Sequence, residues 1–391
     1  MIVRPVAAIG AGGLHAMTGV FMSNTPIWVT RSSMPTLEEY TNEIASLWDT
    51  HMLTNMGAKH HQLEEELEKY LGVDDIALFV NGHNALECVI EAMGLKGKVI
   101  TTPYSFASTT HAIVRKGLTP VFADIKPDDY TLDPEKIEEL IDEDTCAIMP
   151  VHVYGNLCDV DAIQEIADRH GIKVIYDAAH AFGVKKDGVS SATFGDASMF
   201  SFHATKVFNT IEGGAICFKD PELKCLLDQW KNFGITGVES VEFVGGNAKM
   251  NEFAAAMGLC NLRHLDEEIS KRKAVAERYW ERLGAMPGVK ICLPQPGVTP
   301  NYAYLPAVFE ERSFGVTRDE VYAALMVHNI HPRKYFYPLI SDYECYAGSF
   351  NSCDTPIAKR VAKRVLTLPM YADLALEDVD RICDIIANVR K

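Results

Sequence analysis

Residues 76–125 read IALFVNGHNALECVIEAMGLKGKVITTPYSFASTTHAIVRKGLTPVFADI, and short β-rich runs alternate there with helical spacing. Residues 76–80 form an apolar run of strand length, and 85–93 carry amphipathic helical spacing. The strand pattern returns at 98–102, the helix at 105–116 and the strand at 120–125. That alternation is the mark of βαβ units around a mostly parallel sheet. Farther along, 133–141 reads as a helix with Pro134 in its first turn, 147–153 as a strand, 159–170 as a helix ended by Gly171, and 173–176 as a strand. A charged helical stretch from Glu252 to about Leu283 then leads toward the C-terminal third.

The predicted class is therefore α/β, with a large domain over 56–265. A smaller α/β domain over 266–391 begins with the linking helix, and a segment at 22–55 packs with it. Residues 1–21 read as a leader outside the fold, because Gly10, Gly12, Gly13 and His15 break the apolar patch that a secretory signal would need. With 391 residues, 48% hydrophobic and 23% charged, the chain is long enough for two such cores. A formal charge of −16 disfavours nucleic acid and anionic membranes as partners. No apolar run is long enough to cross a bilayer. Ten cysteines without a CxxC pair fit a reducing, cytoplasmic setting and read as mostly buried thiols.

The chemistry concentrates in FSFHATKVFNTIEGGAI, residues 200–216, where Lys206 follows an apolar run and precedes a glycine pair. Burying an ammonium there would be costly, whereas a desolvated amine is a nucleophile able to form a Schiff base. In KVIYDAAHAFG, residues 173–183, Asp177 falls at the carboxyl end of a strand, where open α/β sheets place ligands. A carboxylate there can keep a pyridine nitrogen protonated, which is what pyridoxal phosphate (PLP) requires. Taken singly, Lys206 also reads as a solvated lysine and Asp177 as a helix N-cap; the pair is more specific than either. The turn Asn81-Gly82-His83-Asn84 offers free N–H groups at a helix start for a phosphate. Phe106, at another sheet end, has a ring that would stack on a flat cofactor or fill the core.

The ordered motifs NGHNAL, PYSFAST, DAAHAFG, SFHATK, EGGA and GGNAKMNE resemble the DegT/StrS family of sugar-nucleotide aminotransferases, of PLP fold type I. The resemblance implies a large domain with a mostly parallel central sheet and a smaller α/β C-terminal domain. It also implies a role for each matching residue. Lys206 would carry PLP as a Schiff base, Asp177 would pair with the pyridine nitrogen, and Phe106 would stack on the ring. His180 stands where most members have glutamine, near the ring's 3′ oxygen. Gly82, His83, Asn84 and Ser201 match phosphate-binding positions, with His83 replacing the usual threonine or serine. Asn247 matches a residue that reaches the phosphate of the other subunit, implying a homodimer with shared active sites. Arg333 and Lys334 in HPRKYFYP, together with Lys249 and His203, are substrate-binding candidates for a nucleotide-linked keto sugar, though each also reads as an ordinary solvated or hydrogen-bonded side chain.

His180, FHATK and NAKMNE look most like the branch that aminates C4 of dTDP-4-keto-6-deoxyglucose, with L-glutamate as donor. Amination of a 3-keto or UDP-linked sugar, or a non-catalytic regulatory protein on the same fold, stays open from the residues. A dehydratase of the same fold would carry histidine in place of Lys206. IGAGGLH near the start imitates a dinucleotide loop, but His15 falls where its third glycine belongs. His60 with His61, and His328 with His331, show no cysteine or carboxylate completing a metal set at ligand spacing, so no metal is expected. Leu63, Leu67 and Leu71 form a core stripe at helical spacing.

Overall fold

The computed structural model describes residues 25–390. At its centre is a sheet built from β1 (Ile76–Phe79), β2 (Lys98–Thr101), β3 (Thr119–Phe122), β4 (Thr145–Ile148), β5 (Lys173–Asp177), β6 (Ala197–Ser201) and β7 (Gly214–Phe218), in the spatial order 1-7-6-5-4-2-3. Pairings among β2 to β6 are parallel, while β7 runs antiparallel to both β1 and β6. The α/β, mostly parallel expectation is met.

Strand alternation divides the core between the two faces of this sheet. Ile76, Leu78, Phe200, Ala215 and Cys217 meet the Leu63, Leu67 and Leu71 stripe of helix Ala58–Leu71 and the start of helix Glu252–Leu283. Ala77, Phe79, Met199, Ile216 and Phe218 meet helices Gly82–Ala92, Ala107–Arg115 and Glu222–Trp230 on the other face. A separate core gathers beyond helix Glu252–Leu283 around the antiparallel strands Val289–Ile291, Leu305–Phe309 and Val365–Leu368. Ile27 joins that core through the pairing of Ile27–Trp28 with Ile330–His331.

Several boundaries shift from expectation, each for a local reason. Asn81 caps the first βα turn by accepting the Asn84 N–H at 2.8 Å, so the helix begins at Gly82 rather than residue 85. The helix expected over 133–141 is a short Pro134–Glu138 turn. The strand expected over 147–153 ends at Ile148, and Pro150, which has no N–H to give a ladder, follows it. Of the cysteines, Cys88, Cys158, Cys217, Cys260 and Cys383 are buried as expected, but Cys225, Cys345 and Cys353 are exposed. The leader assigned to 1–21 lies outside the described residues. No helix among those described is long and apolar enough to cross a membrane.

Candidate active site

β1, β2, β5 and β6 end at one edge of the central sheet, and the segments leaving that edge carry most of the candidate residues. Asp177 is the last residue of β5 and is 4% exposed. Its Oδ2 accepts the Thr109 hydroxyl at 2.6 Å and its Oδ1 accepts the Ala179 N–H at 3.1 Å. Burial raises its carboxyl above the usual range, against those two hydrogen bonds and the charge of Lys206. Each carboxylate oxygen keeps a lone pair for a further donor. Thr109 carried no signal of its own in the sequence; its part follows from lying one helical turn after Phe106.

Lys206 sits just past β6 in a hollow lined by Ala179, His180, Phe182, Thr205, Asn301 and Tyr304. It keeps some exposure, yet enough protein surrounds it that burial lowers its amine to about 8, partly offset by Asp177 and Tyr335. Its Nζ lies 5.8 Å from the Tyr304 ring centre. An amine with that pKa is uncharged about a tenth of the time at pH 7, far more often than an ordinary lysine.

His180 is held as a defined tautomer. Its Nδ1 accepts the main-chain N–H of Tyr154 at 3.1 Å, so that nitrogen carries no proton. Burial, with the charge of Lys206, pushes its pKa well below the ordinary value, so the ring is neutral and its proton resides on Nε2. The ring lies edge-on to Tyr304, with centres 4.7 Å apart, and parallel to Phe336 at 6.0 Å.

The anion-ready end of the site forms where Gly82 opens its helix beside the last residue of β6. A Cβ on Gly82 would stand 3.1 Å from that of Ser201, and one on Gly214 would stand 2.5 Å from the Gly82 nitrogen. Only glycine lets these backbones approach so closely. Both ring nitrogens of His83 are engaged, Nδ1 with the Ser108 hydroxyl at 2.9 Å and Nε2 with Glu87 at 3.3 Å. Phe106 is 60% exposed at the rim.

Other candidates lie farther out. Asn247 is exposed and bridged to Asn232, and Lys249 donates to Asn232 at 2.7 Å and to Asn247 at 3.1 Å. His203 is engaged within its own loop by Thr205. Lys334 pairs with Asp319, and the exposed Arg333 is bridged through its main chain to Thr367. Tyr304, Tyr335 and Tyr154, which sequence reasoning passed over, form much of the wall beside Lys206 and His180. They sit in irregular segments, where apolar periodicity says nothing.

One expectation about metals is corrected. Glu64, one helical turn from His60 and His61, does complete a three-ligand set within 4.8 Å. Lys224 already donates to Glu64 at 2.7 Å, however, and Lys231 and Lys224 add to the burial that pushes His60 down to about 2. A cation there would meet two ammonium groups, and no metal is assigned to the cluster.

The residues at the sheet edge fit PLP: a buried carboxylate with lone pairs to spare, a desolvated amine, a neutral donor on His180, a glycine-lined helix start and an exposed aromatic face. Comparison with known proteins agrees. Residues 36–387 match the model of the DegT/DnrJ/EryC1/StrS aminotransferase family. The chain is 44% identical to a dTDP-4-amino-4,6-dideoxy-D-glucose transaminase of Shigella dysenteriae, covering 93% of this chain and 99% of that protein. It is 43% identical to the transaminase of the same name from Escherichia coli, with the same shares covered. Among solved structures, DesI in the presence of its TDP-sugar product superposes with a TM-score of 0.90 at 34% identity, covering 95% of this chain and 94% of that one. Sequence, fold and site geometry thus converge, and the chain belongs to the DegT/DnrJ/EryC1/StrS aminotransferase family.

Proposed function

We propose that this chain is a PLP-dependent aminotransferase that moves the amino group of L-glutamate to C4 of dTDP-4-keto-6-deoxyglucose. The observation that carries the reading is the pairing of a desolvated Lys206 amine with the buried Asp177 carboxylate at the sheet edge. The transaminases from Shigella dysenteriae and Escherichia coli support the choice of sugar and of carbon.

When bound, PLP supplies an electron sink for the carbon that loses a proton. Lys206 would hold the cofactor covalently through Nζ, and in its free, uncharged form would take the proton from the donor's α carbon and return it elsewhere in the exchange. Asp177 would keep the ring nitrogen protonated, with Thr109 and the Ala179 N–H fixing the carboxylate. His180 Nε2–H would donate to the ring's 3′ oxygen. The N–H groups of Gly82 and His83, with the Ser201 hydroxyl, would hold the phosphate where the helix dipole favours an anion; the Asn84 N–H, expected to join them, is already taken by Asn81 Oδ1. Phe106 would cover one ring face. Arg333, Lys334, Lys249 and His203 would serve the nucleotide-linked sugar. The working unit would be a cytoplasmic homodimer, with Asn247 contributed across to the other copy's phosphate.

The test is incubation with PLP, L-glutamate and a panel of 3-keto and 4-keto dTDP and UDP sugars, with products identified by mass and NMR. Amine at C4 of the dTDP sugar is expected. Amine at C3, or on UDP sugars alone, would overturn the substrate assignment, and no visible cofactor band with no reaction toward glutamate would overturn the enzyme reading itself.

A further inference from the structure

Tyr154, one of the three tyrosines beside Lys206 and His180, ties that wall to two other parts of the fold. It lies in the turn Val153–Gly155 with a left-handed φ of 61°, a conformation uncommon for a bulky side chain. The following Gly155 also has positive φ, and a Cβ there would stand 2.9 Å from Asn301 Oδ1. This backbone arrangement aims the Tyr154 N–H at His180 Nδ1. The side chain of the same residue leaves in another direction. Its hydroxyl accepts from Tyr104, at 2.6 Å, and donates to the main-chain carbonyl of Tyr335. Its ring lies nearly parallel to Phe336, with centres 5.8 Å apart, and Phe336 in turn lies parallel to His180. Tyr335 stands edge-on to Tyr304, whose ring borders Lys206.

Resting on the aminotransferase reading, we propose that Tyr154 is a positioning residue whose hydroxyl latches the segment 333–338 against the large domain and so sets the aromatic wall that receives the keto sugar. Arg333 is tied to Thr367, Lys334 to Asp319, and Tyr337 packs on Arg318, all contacts within the C-terminal part of the chain. Toward the large domain Phe336 meets Tyr104 edge-on at 5.9 Å, and the Ile340 N–H, just beyond the segment, donates to the Pro103 carbonyl at 3.1 Å, so the hydroxyl of Tyr154 is what holds the Tyr335 carbonyl itself. The Tyr154 hydroxyl therefore fixes how far Tyr335 and Phe336 lean toward Lys206 and His180. The latch acts on the sugar half of the reaction, because Asp177 and the Gly82 turn lie outside its contacts and His180 is held through the main-chain N–H of Tyr154 and not through its hydroxyl.

The test compares wild type, Y154F and Y104F as full-length holoenzymes. In Y154F the visible cofactor band and the single-turnover reaction with L-glutamate stay within two-fold of wild type, while KM for dTDP-4-keto-6-deoxyglucose rises about ten-fold at little-changed kcat, as loss of one buried hydrogen bond implies. Y104F, which keeps the Tyr154 to Tyr335 bond, leaves KM within two-fold. Hydrogen–deuterium exchange of a peptide spanning 331–340 quickens more in Y154F than in Y104F, which loses the Tyr104 contact with the Phe336 main chain but keeps the bond to the Tyr335 carbonyl, and this readout needs no sugar. If Y154F misfolds because it strands the Tyr104 hydroxyl, the Y104F/Y154F pair removes both hydroxyls together and is expected to show the same KM and exchange changes. A KM and an exchange rate in the folded variant equal to wild type would overturn the latch. Faster exchange in an enzyme that aminates none of the sugars would overturn only the substrate assignment.

Discussion

At Lys206 the burial that makes the amine expensive also makes it reactive. Its charged form is disfavoured in the folded chain, so the cofactor-free protein bears that cost in full below about pH 8 and is relieved of it as pH rises toward the ordinary lysine value of roughly 10.4. The rate at which the apo-protein captures PLP, followed by the growth of the visible band, is therefore expected to rise about ten-fold per pH unit and to level off near pH 8. A plateau near 10.5 would mean an ordinary solvated lysine. In K206A no cofactor should become fixed to the protein on borohydride reduction.

His180 offers a sharper check, because glutamine can replace a donor at the Nε2 position and asparagine only an acceptor at Nδ1. H180Q should keep the pH midpoint of the visible band within about half a unit of wild type, whereas H180N should move it by about one unit or more. Lys206 and Asp177 were legible in the sequence because each sits in a short local context of strand followed by turn. Thr109 and Tyr154 were not, since their roles depend on chain segments that come together only in the fold.

The elements of the central sheet could be read from alternating apolar runs, and their order along the chain came through with small errors at the ends. The Leu63, Leu67 and Leu71 stripe of helix Ala58–Leu71 was legible, but what caps that helix could not be read. Glu252, fully buried, accepts the N–H groups of Gly57, Lys59 and His60 at 3.1, 2.8 and 3.3 Å, capping that helix from 195 positions away in sequence. In the sequence Glu252 is one more acidic residue opening a charged helix. E252A should lower stability by about 3 kcal/mol in a thermal or urea titration, because it strands buried donors; a loss below about 1 kcal/mol would show the cap to be incidental. Gly214 makes a similar point about close approach. In G214A the new methyl would push on the Gly82 nitrogen, and PLP affinity measured by equilibrium dialysis should fall at least about ten-fold. An unchanged affinity would separate the phosphate site from the Gly82 turn.

Over the whole molecule, hydropathy and length led to the expectation of a large and a small domain and gave no sign of the seam that joins the central sheet to the C-terminal strands. The seam is aromatic: Tyr104, Tyr130, Tyr154 and Phe336 share a buried cluster with Val308 and Val361 from the C-terminal part. These residues are scattered over more than half the chain, and no local pattern announces their meeting. Because the proposed cofactor site draws on several strand ends at once, ligand binding should stabilise the molecule globally. PLP at a hundred times its Kd is expected to add about 2.7 kcal/mol, seen as a rise in Tm that, at the same PLP concentration, is smaller in K206A.

The strand order has a consequence for synthesis. β1 is among the first parts of the sheet to leave the ribosome, and all four of its residues are buried, yet within the sheet it pairs only with β7, where Phe79 meets Gly214. At roughly 5–20 residues per second, the nascent chain must carry Ile76–Phe79 for on the order of ten seconds before its neighbour exists. During that interval a greasy, unpaired edge is available to chaperones or to other nascent chains. A fragment stopping short of Gly214 should therefore emerge insoluble, while the full-length product does not.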